Sequence, residues 1–270
     1  MKAAVFGAGG LVGRHLAEHL QGEGWTVRPI LRGDETWRGE ALGHVFYCIG
    51  LTADFRSRPY ETVEAHVSRA VEVLRGAVFD SFLYCSSTRV YAKSTEACET
   101  AALSVNSNDP DDLYNLSKLM GEAACLAHPA ARVARLSNVI GSDPTSDNFL
   151  NAVVREAVAT GAVHLRTALD SAKDYIAVDE AVAAMRRIAV DGGERIYNLA
   201  AGRNTSHGQI VEALRRETGC AVSVAQDAPT VGFPLIDIER LTALGVRMDR
   251  DPVRSMPALV AAMRNAIART

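Results

Sequence analysis

The stretch Lys2-Ala3-Ala4-Val5-Phe6-Gly7-Ala8-Gly9-Gly10-Leu11-Val12-Gly13-Arg14-His15-Leu16 decides the fold. Its apolar run, Ala3–Phe6, predicts a short strand. From Leu11 to Leu20 apolar residues recur at helical spacing. Between the two stand Gly7, Gly10 and Gly13, three residues apart. In a strand–turn–helix context such glycines have separate tasks. The first permits the tight turn, the second lets backbone approach a pyrophosphate, and the third lets helix and strand pack closely. The free N–H groups and positive end of the helix then face the phosphates. This reading assigns Gly7, Gly9, Gly10, Leu11, Val12 and Gly13 to a dinucleotide site; an ordinary glycine-rich turn is the alternative.

Working outward, short apolar runs alternate with amphipathic segments. Strands are expected at Thr26–Leu31, Val45–Ile49, Ser81–Cys85, Val133–Leu136 and Arg195–Leu199. Helices are expected at Tyr60–Arg75, Leu113–Ala127, Phe149–Thr160 after a cap at Asp147, Val178–Val190, Ser206–Thr218 capped by Ser206, and Val253–Arg269. Strands separated by helices imply parallel βαβ units, an α/β doubly wound sheet of the Rossmann type. Ligands of such sheets bind beyond the carboxyl ends of the strands. That rule directs attention to Arg32, to Cys48-Ile49-Gly50, to Ser87 and to Leu136, each at or after a strand end.

Composition narrows the class. The apolar fraction is 48% and the charged fraction 23%, which excludes disorder and coiled coil. A net charge of −3 provides no basic field for nucleic acid or an anionic membrane, so neither is an expected partner. Five scattered cysteines without a CxxC pair point to a reducing cytoplasm rather than a disulfide framework. The glycines that interrupt MKAAVFGAGG argue against a signal peptide. The seven histidines show no metal-ligand spacing, so no metal is expected. Asp109-Pro110-Asp111-Asp112 reads as helix capping and dipole compensation.

The second strand ends without the carboxylate that would accept bonds from an adenosine ribose. Arg32 stands there instead and suits a 2′-phosphate, favouring NADP slightly over NAD; Asp34, two residues on, leaves NAD open. Tyr114 and Lys118 are four apart and share one helix face. A nearby ammonium favours tyrosinate, which predicts a lowered Tyr114 pKa and proton exchange with an alcohol or ketone. Ser87, at the end of the fourth strand, is placed to orient a carbonyl.

Together these residues resemble the extended short-chain dehydrogenase/reductases, the NAD-dependent epimerase/dehydratase family that modifies nucleotide sugars. Ser87-Thr88-Arg89-Val90-Tyr91 resembles its Ser/Thr-x-x-Val-Tyr stretch, and Tyr114 with Lys118 its YxxxK pair, followed by Glu122. Arg135-Leu136-Ser137-Asn138-Val139-Ile140-Gly141, Lys173-Asp174-Tyr175-Ile176-Ala177-Val178-Asp179 and Tyr197-Asn198-Leu199-Ala200 resemble three further motifs. The resemblance implies catalysis by Ser87, Tyr114 and Lys118, the last two also touching the cofactor, and substrate contacts from Thr88, Asn138 and Lys173. It implies a Rossmann region over 1–140 to which 173–200 returns, and a small substrate region from 141–172 and 201–270. It also implies a homodimer formed through the helices at 60–75 and 113–127. Ketone reduction and 4-epimerisation of a nucleotide-activated sugar are the reactions expected, and a non-catalytic cofactor sensor is the alternative.

The departures are specific. Thr88-Arg89 replaces the acidic pair of the family's dehydratases, which argues against 4,6-dehydration. His66 stands where asparagine is usual. Lys173 replaces an arginine that meets the diphosphate, keeping the charge but losing the fork. Too few residues follow the second strand for the family's extra helix and strand, so that unit is expected to be truncated and the adenine side open.

Overall fold

The computed structural model describes residues 1–52, 54–141 and 148–268. Its first half runs β1 (Lys2–Phe6), α1 (Leu11–Gly22), β2 (Thr26–Ile30), β3 (His44–Tyr47), α2 (Pro59–Val63), a π-helical turn (Glu64–Ser68), α3 (Arg69–Gly76), β4 (Ser81–Ser87) and α4 (Leu113–Leu126). The chain continues through β5 (Ala131–Leu136), β6 (Asn138–Ile140), α5 (Phe149–Thr160), β7 (Ala162–Leu165), β8 (Ala172–Ala177) and α6 (Val178–Asp191). It ends with β9 (Ile196–Leu199), β10 (Asn204–Ser206), α7 (His207–Thr218), β11 (Ala221–Val224), α8 (Glu239–Ala243) and α9 (Met256–Ile267).

Six parallel strands form the main sheet in the order β2-β1-β3-β4-β5-β9. Both faces of the inner strands are covered, which is why β1, β3 and β4 read as nearly continuous apolar runs, while the edge strand β2 is more exposed and carries Arg28. In β1, Ala3 and Val5 point into a core shared with Leu16, Leu20, Met185 and Ile188. Ala4 and Phe6 point the other way, toward Val45, Tyr47, Val73, Tyr84 and Cys125. A third apolar cluster joins α5, α7 and α9 through Leu150, Val154, Ile210, Leu214, Met256 and Val260. Beside it lie two small sheets, β10-β8-β6 and β11-β7, whose strands of three to six residues the apolar pattern did not single out.

The order of the main sheet reverses at β1. The chain leaves β2, crosses β1 and enters β3 through only the thirteen residues 31–43, with no helix among them. The expected truncation is therefore present, and a single side chain covers what a helix would otherwise cover. Trp37 is fully buried and meets Phe6 edge-on at 5.4 Å, with the guanidinium groups of Arg38 and Arg69 over its ring at 4.7 and 5.3 Å.

Other expectations need correction. The helix expected over 60–75 begins at Pro59 and carries a π-helical turn, which places His66 inward. Asn148, not Asp147, caps α5, its side chain accepting from Asn151 N; Asp147 and Arg269 lie outside the described residues. Ser206 caps α7 in a reciprocal box with Gln209.

Candidate active site

Each glycine of the first loop has its own surroundings. Gly7 has φ +81°, and a Cβ there would lie 3.0 Å from the Cys48 backbone. At Gly13 a Cβ would lie 2.3 Å from Gly7 O, so α1 packs against the loop only because no side chain intervenes. Gly9 and Gly10 are different. A Cβ on Gly10 would meet nothing closer than 3.5 Å, and one on Gly9 nothing closer than 3.7 Å. Protein packing does not require those two glycines, which leaves room over the loop and the N-terminus of α1 for a phosphate group.

That room opens into a cleft of about 780 Å³ beyond the strand ends, of a size suited to a dinucleotide's parts. Its lining includes Gly7, Gly9, Gly10, Cys48, Ile49 and Gly50 and, beyond the end of β2, Arg32, Gly33, Glu35 and Arg38, with Arg69 of α3 opposite. Leu11, Val12 and Leu136, also expected at the cofactor, do not line this cleft: Leu11 and Val12 pack on the core beneath α1, and Leu136 is buried at the end of β5. Arg32 is exposed, and no carboxylate or hydrogen-bond acceptor engages its side chain among the described residues. Asp34, by contrast, is occupied. Its carboxylate accepts from Thr36 Oγ1 (2.7 Å) and Thr36 N (2.9 Å), bonds that hold it below the usual carboxylate range.

Behind the Gly50 edge of the cleft, α4 holds Tyr114 and Lys118, both almost fully buried and neither lining the cleft itself. The side chains of Ser87 and Thr52 lie near enough to the Tyr114 hydroxyl to favour its ionised form. Ser87 Oγ is fixed in turn by the backbone N–H of Arg89 at 3.2 Å. Lys118 Nζ donates to Cys85 O at 2.9 Å and stands beneath Gly50, 3.4 Å from where a Cβ would be. Burial lowers its pKa to about 8.

The expectation of a lowered Tyr114 pKa is corrected here. Burial dominates and pushes the phenol up, while the nearby Ser87 and Thr52 side chains and then the Arg89 charge act in the opposite direction. Lys118 points at the Cys85 carbonyl, so the cation that bears on the tyrosine is Arg89.

His66 completes the inner wall. Its Nε2 accepts from Leu51 N (3.2 Å), so Nδ1 carries the proton and donates to Ser117 Oγ (2.8 Å). Ser117 Oγ donates to Tyr114 O (2.9 Å). The ring meets Tyr114 edge-on at 5.2 Å. Burial, reinforced by the Lys118 charge, depresses the His66 pKa to about 2.

Further along α4, Glu122 pairs with Arg135 at 2.7 Å, both buried, and also accepts from Ser86 Oγ. Arg135 Nη1 donates to Tyr91 OH (2.7 Å), which donates to Asn198 Oδ1 (2.8 Å). The motif residues Glu122, Arg135, Tyr91 and Asn198 thus form one network binding α4, β5, β9 and the turn after Ser87 together.

On the substrate side the expected residues are only partly gathered. Thr88 is buried beside Ser87. Asn138, on β6, spends its amide N–H on Asp174 O (2.8 Å). Lys173, on β8, lies over Phe149 at 5.8 Å. Thr52 and Phe55 were not expected, because they lie in an irregular stretch where periodicity gives no signal. Arg89 was read only as a departure from the dehydratases. Among the described residues no cluster of His, Cys, Asp or Glu is arranged to hold a metal, and no helix is long and apolar enough to cross a membrane.

Comparison with known proteins agrees with this architecture. RMD from Pseudomonas aeruginosa, solved with NADPH, superposes with a TM-score of 0.82 at 21% identity over 98% of this chain and 100% of its own. MoeE5, in complex with UDP-glucose and NAD, gives 0.80 at 18% over 99% and 100%. The UDP-glucose 4-epimerase of Thermotoga maritima, with UDP-glucose, also gives 0.80 at 18% over 99% and 100%. At these identities the likeness establishes the fold. No curated protein matches the chain significantly. A profile of one family, however, covers residues 34–200, more than half of the chain and the whole segment from β3 to β9. The chain belongs to the NAD dependent epimerase/dehydratase family.

Proposed function

We propose that the protein is an NAD(P)-dependent oxidoreductase that reduces a keto group, or epimerises C4, on a nucleotide-activated sugar. The observation carrying this reading is the placement of Tyr114 near Ser87, Thr52 and Arg89, on the helix whose Lys118 stands behind Gly50 of the glycine-lined cleft. The nicotinamide, when bound, gives or takes hydride at the sugar carbon. Ser87 and Tyr114 hold the oxygen on that carbon. Tyr114 gives its phenolic proton to the oxygen on reduction and recovers it on oxidation. Lys118, beneath Gly50, holds the nicotinamide ribose. The intact trio favours an enzyme over a cofactor sensor. The solved neighbours that contain UDP-sugars support the substrate class.

Tyr114→Phe removes only the proton-carrying oxygen. Turnover should fall by about 10²–10⁴-fold while cofactor affinity, read by calorimetry, is retained. Wild-type turnover in that variant would remove Tyr114 from the mechanism.

For the cofactor we favour NADP. Arg32 is unengaged at the cleft mouth, whereas Asp34 accepts both Thr36 bonds on Oδ1, faces Arg28 at 3.9 Å with Oδ2 and does not line the cleft. Arg32→Ala should weaken NADPH binding by about ten-fold or more, the loss of one charge-assisted hydrogen bond, and barely change NADH. Equal losses for both cofactors would show that Arg32 is not the selector.

A further inference from the structure

Arg89 is a half-buried cation beside the acid/base, yet among the described residues it has neither an ion-pair partner nor an acceptor for its side-chain N–H groups. Its guanidinium lies over the rings of Phe55 (4.8 Å) and Tyr114 (5.3 Å), which fix its plane. The carboxylates nearest in charge are already committed. Asp111 is paired with Arg56 at 2.5 Å, and Asp112 with Lys93 at 2.6 Å. Lys173, equally without a carboxylate partner among the described residues, is close enough for Arg89 to disfavour its protonation, in addition to the effect of burial. Two cations that repel each other in a partly desolvated space remain stable there at a cost that an anion would relieve. The planar fork of an arginine, backed by two rings, suits a carboxylate.

We propose that Arg89 is a substrate-specificity residue, its guanidinium taking a carboxylate on the sugar ring close to the carbon whose oxygen Ser87 and Tyr114 hold. The position follows from the chain. Arg89 is two residues beyond Ser87, and its guanidinium covers the ring of Tyr114. Lys173, on β8, is left for the diphosphate. The substrate class is then an acidic, uronate-type nucleotide sugar; the inference rests on the nucleotide-sugar reading above.

The test uses matched probes that differ in this carboxylate: UDP-glucuronate against UDP-glucose, and GDP-mannuronate against GDP-mannose. Each is titrated calorimetrically into protein saturated with NADPH. Wild type should bind the acidic member of at least one pair about 10- to 100-fold more tightly, the range of a charge-assisted hydrogen bond. Arg89→Met, which keeps the stem over Phe55, should bring the ratio close to one by losing affinity for the acidic member alone. Arg89→Lys should retain part of it. Lys173→Met should weaken both members alike. A wild-type ratio near one with both members bound overturns the proposal and leaves the nucleotide-sugar reading standing. A ratio that persists in Arg89→Met, or that Lys173→Met abolishes, also overturns it. Failure of every probe to bind overturns the nucleotide-sugar reading and this proposal with it.

Discussion

Gly10 and Gly13 belong to one motif but answer to different forces. Helix packing forbids a side chain at Gly13, where a Cβ would lie 2.3 Å from the Gly7 carbonyl oxygen. At Gly10 the space is free of protein, and the proposed cofactor site puts the pyrophosphate there. The same substitution should therefore have opposite consequences. Gly13→Val should destabilise the fold by several kcal/mol, on the order of 3, since overpacking meets backbone and cannot relax. Gly10→Val should melt near wild type but bind NADPH far more weakly. Denaturation midpoints and calorimetry on the two variants separate these effects. A destabilised Gly10→Val with unaltered cofactor affinity would contradict the assignment of that space to phosphate.

At the scale of elements, the π-helical turn at Glu64–Ser68 is the feature with the largest local consequence. The additional residue in the turn rotates His66 into the wall behind Tyr114, where both ring nitrogens are satisfied only if the ring is neutral. A neutral buried histidine has a defined effect on stability. Its folded pKa, about 2, lies below its unfolded value near 6.5, so the unfolded chain takes up a proton first as pH falls. The stabilisation is complete above about pH 6.5 and is lost at up to roughly 1.4 kcal/mol per unit below it. His207, lowered to about 4 by burial and by Lys173, contributes with the same sign over a narrower range. Chemical denaturation at pH 7 and pH 4.5 should show His66→Asn losing less stability than wild type, by on the order of 2 kcal/mol. Parallel losses in the two proteins would mean that His66 already takes up a proton in the fold.

None of this geometry was legible in the sequence, although the long helix was. A period of 3.6 cannot register one inserted residue in a segment that stays helical on both sides. Nor can it reach Thr52 or Phe55, whose irregular backbone carries no period. The six-stranded sheet was readable because its inner strands β1, β3 and β4 are nearly continuous buried apolar runs between helical segments, and β2, β5 and β9 are short runs rich in Val, Ile and Leu. The strands β6, β8 and β10 were not, because segments of three to six residues are too short to show a period of their own. Ser87, Tyr114 and Lys118 could be located from strand ends and helix spacing. The direction in which Lys118 points, toward Cys85 O rather than the tyrosine, depends on tertiary packing alone.

For the whole molecule, the outer surface of α4 makes the next demand. Its inner face buries Tyr114, Asn115, Ser117, Lys118, Gly121, Glu122 and Cys125. The outer face leaves Met120 58% exposed, with Leu116 and Leu119 half-buried, and α2–α3 beside it offers Tyr60, 85% exposed, with Val63, Val67, Val71 and Leu74 partly covered. A continuous apolar strip on two adjacent helices is poorly suited to water and well suited to its own copy across a twofold axis. Such pairing would build a four-helix bundle and seal the back of the helix that carries the acid/base. We expect light scattering to give twice the protomer mass of 28.9 kDa at micromolar concentration. Met120→Asp places a charge on this strip without touching the protomer core, so it should yield folded monomer with an unchanged far-ultraviolet spectrum. Because Met120 is two residues from Lys118 on the same helix, the monomer should also bind NADPH less tightly if pairing braces α4. A wild-type monomer would exclude the interface. A dimer that survives Met120→Asp would place the contact elsewhere, and a monomeric variant with full cofactor affinity would show that α4 holds its site without the partner.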